Sequence, residues 1–128
     1  MSTDIDTRRW TGRIGERFAV DYLTRSLGWA VLEQNWRCPL GEIDIVARAR
    51  QELVLVEVRT RRGLTFGEAI ESVNVHKQRR LRRLAGWLLT SSAYSQFVDD
   101  VRIDVLGLLF DGVRVTDVKH IRWAVEAP

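Results

Sequence analysis

Cysteine occurs once and histidine only twice in this chain of 128 residues. A lone Cys38 cannot close an internal disulfide, which suits a reducing cytoplasm. His76 and His120 stand isolated, without the spacing of metal ligands, so there is no zinc pattern and no role to assign to either. With so few histidines to activate a thiol, Cys38 reads as inert. No apolar run approaches the ~20 residues of a membrane span. Met1 to Trp10 is polar with mixed charge and lacks the apolar core of a signal peptide. Internal repeats and a Gly-rich phosphate loop are also missing. These absences exclude disulfide scaffolds, membrane helices, zinc modules and P-loop enzymes.

What is present fits an ordinary folded domain: 45% hydrophobic and 29% charged residues. We expect residues 1–8 to form a disordered tail and residues 9–128 a single domain, long enough for a real core. The net charge of +3 is only mildly basic, but its make-up is distinctive. Nearly all the basic residues are arginine, and they cluster at Arg59, Arg61, Arg62 and again at Arg79, Arg80, Arg82, Arg83. Arginine forks bind phosphate bidentately, and a basic stripe is the footprint of a nucleic-acid binder. A solvated helix face in an arginine-biased composition is the competing explanation.

The spacing predicts a helix from about Arg9 to Leu27, stopped by Gly28. Glu16 extends its buried row, lying seven positions before Leu23. It either points at something internal or sits favourably near the positive helix end. Gly12 and Gly15 cost helix stability and signal a close approach of another element. Trp29–Gln34 reads as a first strand, and Asn35–Leu40 as a connection. A second helix runs from the N-cap Asn74 to about Ser91, with Leu81, Leu84, Ala85, Leu88 and Leu89 as its core stripe. Lys77 precedes Leu81 by four residues, so it points along the inward face. Asp111-Gly112 marks a hairpin joining strands Val101–Phe110 and Val113–Trp123. Within the first of these, Arg102 and Asp104 alternate with Val101, Ile103 and Val105, as in a half-exposed strand.

The chain is organised around the stretch from Gly41 to Thr60. Two β-branched runs flank Arg48–Glu52 and read as a β-hairpin. A loop centred between Arg50 and Gln51 sets Asp44 directly opposite Glu57 on one face, and Arg59 joins them by the strand period of two. Ile43, Ile45, Val56 and Val58 then take the other face. Two facing carboxylates in an apolar hairpin repel, and a buried carboxylate needs a partner or a cation. Mg²⁺ supplies that charge with one or two carboxylates plus waters and phosphate oxygens. Neutralisation of Glu57 by Arg59 or Arg61 is the simpler alternative. The loop Arg61–Gly67, with two glycines and two arginines, follows beside the carboxylates.

Gly15-Glu16, Asn35-Trp36-Arg37, Gly41-Glu42-Ile43-Asp44-Ile45, Val56-Glu57-Val58-Arg59-Thr60-Arg61 and Lys77 before an Arg-rich helix closely resemble the YraN-like family of small bacterial proteins. That family in turn resembles the PD-(D/E)XK nucleases, most of all archaeal Holliday junction resolvases. The resemblance covers about residues 11–110. It implies an α/β fold of the restriction-endonuclease type, a mixed sheet flanked by helices. It also implies a Mg²⁺- or Mn²⁺-dependent endonuclease acting on DNA, including branched DNA, and the resolvase likeness points to a homodimer. Asp44 and Glu57 would bind the metal with the Val58 carbonyl as third ligand, and Glu16 would complete the site. Arg61, Arg62, Arg79, Arg80 and Arg83 would hold the nucleic-acid backbone. The chain departs from the pattern at Arg59, where a lysine is expected. Arginine cannot give up its proton. Two expectations follow: an active enzyme in which Lys77 covers the missing role, or a nucleic-acid-binding module that keeps the fold without cleaving. A protein-interaction domain is the third.

Overall fold

The computed structural model describes residues 4–63 and 74–125. Its elements are helix α1 (Asp4–Asp21), strands β1 (Ala30–Cys38), β2 (Gly41–Ala49) and β3 (Glu52–Arg62), helix α2 (Val75–Thr90), and strands β4 (Val101–Asp111) and β5 (Arg114–Val125). The five strands form one sheet in the order β1-β2-β3-β4-β5, antiparallel except for the parallel pair β3–β4. A parallel pair needs a crossover, and the segment containing α2 supplies it. The architecture is therefore mixed α/β, with α1 packed on one face of the sheet and α2 on the other.

Period-two alternation divides β3 between two cores. Leu53 and Leu55 join Leu81, Leu84, Ala85 and Leu88 of α2. Val54, Val56 and Val58 join Ala19 and Leu23 on the α1 side. Glu57 and Arg59 thereby fall on the α2 face. Asn74 caps α2 as its sequence indicates, its Oδ1 accepting from the Lys77 N–H at 3.1 Å. Gly15 explains itself by contact: a Cβ there would lie 2.8 Å from Thr60 Cγ2, so the glycine lets α1 settle on β3. Gly12 has no such neighbour.

Several expectations need adjustment. α1 begins at Asp4, ahead of Arg9, so Glu16 lies well past the first turn and the positive helix end does not account for it. Residues 1–3 of the expected tail lie outside the described residues, as do residues 64–73 with most of the glycine loop. Asn35–Cys38 is strand, not connection, because Trp36 and Cys38 pair with Ile43 and Gly41.

The largest correction concerns β4. It is not half-exposed but buried from Val101 to Phe110, since helices cover both faces and β3 and β5 both edges. Asp104 is fully buried and Arg102 nearly so. Asp104 accepts from Arg102 Nε (3.2 Å) and Nη2 (3.3 Å), from His120 Nε2 (2.7 Å) and from the Trp123 N–H (3.0 Å). Arg102 also donates to Glu52 Oε1 at 3.0 Å. His120 is thus not isolated: it sits edge-on to Tyr22 and Trp29.

Candidate active-site cleft

The hairpin register runs as the sequence indicates, with Ile45 opposite Val56 and Ala49 opposite Glu52. Backbone pairing stops at Ile45, one position before Asp44 meets Glu57. There β2 stays with β1 and parts from β3. Asp44 spans the gap with its side chain, Oδ2 accepting from the Val58 N–H at 2.8 Å. The side-chain alternation of β2 breaks at the same point. Ile43 does not join Ile45, Val56 and Val58, as a regular strand would require, but packs with Leu55 and Leu81 on the α2 side. Together with Ile103 it forms an apolar floor against Glu57.

Above that floor lies a cleft of about 170 Å³, lined by Glu42, Asp44, Glu57, Lys77, Arg80 and the α2 leucines Leu81 and Leu84. The hairpin presents the carboxylates and the first turns of α2 present the cations. Glu42 is a member that the sequence reading missed. The strand period of two from Asp44 puts it on that face, so periodicity is the signal that finds it. Arg80, although largely exposed on the helix surface, turns into the cleft, with its Nη2 2.7 Å from where a Cβ on Gly41 would stand. Arg79 and Arg83 remain exposed on α2, and Arg62 is exposed at the end of β3.

Burial raises the Asp44 pKa to about 7, helped by the facing charge of Glu57 and, more weakly, by Glu42 and then Glu16; the Val58 N–H opposes the rise. Burial also raises Glu57, while Arg59, Lys77 and Arg80 hold it down. Lys77 is lowered, first by burial and then by Arg59. Arg59 lies 3.5 Å from Glu57 Oε1, with side-chain exposures of 14% and 13%. That is an ion pair by distance but not an aligned hydrogen bond. Among the described residues, Arg59 Nε and Nη2 are buried without an acceptor. Arg59 therefore neutralises Glu57 only in part and keeps donors to spare. Arg61 turns back to its neighbour, donating to the Thr60 carbonyl at 2.8 Å.

Among the described residues no three His, Cys, Asp or Glu side chains gather closely enough to hold a metal by themselves. Glu16 thus contributes field to Asp44 without joining it in a ligand cluster. A pair of carboxylates in a polar cleft fits a hard cation that keeps waters and takes phosphate oxygens, and does not fit a closed protein cage.

The raised pKa has a sign. Its folded value of about 7 lies above the reference 3.8, so the fold favours the uncharged acid. Stability from this group is present at low pH and is lost as pH rises from about 4 through about 7. In chelator we expect the metal-free protein to lose about 2–4 kcal/mol from this group between pH 5 and pH 8. If the ionised pair takes a cation, excess Mg²⁺ should restore much of that loss at pH 8. Urea unfolding at both pH values, with Asp44→Asn as the variant whose profile flattens, checks this. A profile unchanged by Asp44→Asn would contradict it.

Fold and cleft together define a class: a mixed α/β protein whose central hairpin offers two half-buried carboxylates to a cation-lined cleft. Residues 15–108 match the family described as Uncharacterised protein family UPF0102. A UPF0102 protein of Moorella thermoacetica is 47% identical over 119 residues, covering 92% of this chain and 97% of that protein. One from Mycolicibacterium vanbaalenii is 42% identical over 121 residues, covering 94% and 97%. The chain belongs to the UPF0102 family, the YraN-like proteins. The matched stretch takes in Glu16, Asp44, Glu57, Arg59 and Lys77. Among the described residues no helix is long and apolar enough to cross a membrane.

Proposed function

We propose that this cleft is the centre of a metal-dependent endonuclease that hydrolyses phosphodiesters in DNA, branched DNA included, on a fold of the restriction-endonuclease type. One observation carries the reading. Two half-buried, mutually repelling carboxylates line a cleft whose other wall is cationic. A module that only bound nucleic acid would gain nothing from negative charge facing phosphate.

Asp44 and Glu57 are the residues that hold Mg²⁺ or Mn²⁺, with the Val58 carbonyl as a third ligand. When bound, such an ion polarises the scissile phosphate and acidifies a water. The Val58 N–H fixes the Asp44 carboxylate in place before any ligand arrives. Glu16, on α1, orders a water at the rear of the site. The unused Nε and Nη2 donors of Arg59 are suited to phosphate oxygens, where they stabilise charge but move no proton. Lys77 is the cleft cation whose lowered pKa suits proton exchange at Nζ, and we assign it the transfer to the leaving oxygen. Arg61, Arg62, Arg79, Arg80 and Arg83 position the backbone without reading sequence. The homodimer implied by the resolvase likeness and the reducing cytoplasm that a lone Cys38 suits belong to the same proposal.

The test is cleavage of labelled linear, flapped and four-way DNA with Mg²⁺ or Mn²⁺, binding being recorded in the same samples. Cleavage that requires metal supports the enzyme. Binding without cleavage supports the non-catalytic module, which Arg59 at the lysine position favours. Arg59→Lys refines this. If Arg59 replaces a proton-transfer group, Arg59→Lys should raise metal-dependent cleavage by about tenfold or more. No gain would mean that the cleft works through arginine.

A further inference from the structure

A second cavity, of about 460 Å³, opens at the other end of the sheet, lined by Gly28, Trp29, Arg50, Glu52, Arg102 and Arg122 among others. It lies at the Ala49–Glu52 turn, whereas Asp44 lies near the start of β2. The two are separated along that strand by about 17 Å at ~3.4 Å per residue. None of the residues lining this cavity lines the first cleft.

Three observations mark it as a built site. First, its wall contains Arg102, with a side-chain exposure of 7%, fixed from behind by fully buried Asp104. A buried charged network of this kind is weak as a source of stability, and rigid positioning is one use for it. Second, backbone strain collects around it. Arg50 holds φ +58 in the hairpin turn and Trp123, whose ring lies 5.8 Å from the Arg102 guanidinium, holds φ +56. A glycine would occupy the Arg50 position at less cost, because a left-handed conformation costs a residue with Cβ roughly 1–2 kcal/mol. Strain of this kind concentrates at functional sites. Third, the charges are unequally matched. Arg102 is paired with Glu52 and Asp104, but among the described residues neither Arg50 nor Arg122 has an acidic partner. The Arg122 guanidinium instead lies 5.7 Å from the Trp29 ring, which also carries the Arg102 guanidinium at 5.2 Å.

We propose that this cavity binds a nucleoside phosphate, with the phosphate on Arg50 and Arg122 and the base extending the Arg122–Trp29 stack. The volume is that of a small-molecule pocket, two guanidinium groups without an acidic partner among the described residues suit a phosphate, and the planar Arg122 guanidinium held on the Trp29 indole is a sequence-tolerant platform for any base. Glu52 offers an acceptor on the same wall. The ligand is either a free nucleotide or an unpaired residue of a strand, which share this chemistry. The inference does not depend on cleavage in the other cleft.

The experiment is calorimetric titration of the full chain, in chelator, with dAMP, ribose 5-phosphate, inorganic phosphate and a dA pentanucleotide, against Arg50→Gly and Arg122→Gln. We expect dAMP to bind more tightly than ribose 5-phosphate or phosphate, and each variant to weaken it about tenfold or more. Arg50→Gly should leave Tm unchanged or raised, since it relieves strain, which separates lost binding from lost folding. A pentanucleotide tighter than dAMP identifies a strand as the source, and equal affinity a free nucleotide. No binding of dAMP, binding of phosphate as tight as that of dAMP, or binding indifferent to both variants would overturn the proposal.

Discussion

Glu57→Gln should reduce metal-dependent DNA cleavage by about a thousandfold or more, the several kcal/mol that a correctly held Lewis acid contributes. Glutamine keeps the shape and leaves the apolar floor of Ile43, Leu55, Leu81 and Ile103 undisturbed. It removes the charge that faces Asp44, so the Asp44 pKa should fall, which offsets the lost 3.5 Å pair with Arg59 and leaves the metal-free protein about as stable. Loss of activity joined to unchanged or higher stability is the signature of a site that holds repelling charges for a ligand. Single-turnover cleavage and urea unfolding of the same samples give both readings. A parallel fall in the two would make Glu57 a structural residue.

The second large effect falls far from the cleft. Asp104→Ala is expected to destabilise the fold by about 3–5 kcal/mol, because it strands the buried Arg102 guanidinium. The Trp123 N–H and His120 Nε2 also lose their acceptor. Glu52→Ala removes the partner of Arg102 whose side chain is 36% exposed, and should cost only about 1 kcal/mol or less. Chemical denaturation of the two variants side by side checks the contrast. Equal and small losses would mean that water replaces the carboxylate, and that the network is not the anchor of β4.

What the sequence made legible, and what it hid, follows from how far apart the partners lie in the chain. The hairpin register, the Asn74 cap, the leucine stripe of α2 and the close approach at Gly15 are local or periodic, and each stands as read. Arg102 and Asp104 did not yield to the same reasoning. Their alternation with valine and isoleucine is what a half-exposed strand looks like. Their actual partners, Glu52, His120 and Trp123, come from two other strands, and no local pattern points to them. His120 was passed over for the same reason: a histidine is isolated in sequence until a strand register places it. Perfect alternation through Asp44 misplaces Ile43, because β2 leaves β3 there, whereas it places Glu42 correctly, two residues before Asp44. The pairing of Asp44 with Glu57 survived that break because both carboxylates line the same cleft.

The central claim is that Asp44 and Glu57 form a divalent metal centre. Its most direct test is calorimetric titration of the full chain with Mn²⁺ at about pH 8, where the Asp44 carboxyl is ionised. The account predicts saturable binding in the natural protein, weakened as pH falls below about 7 and abolished in Glu57→Gln. Absent binding, or binding that Glu57→Gln leaves unchanged, would contradict it.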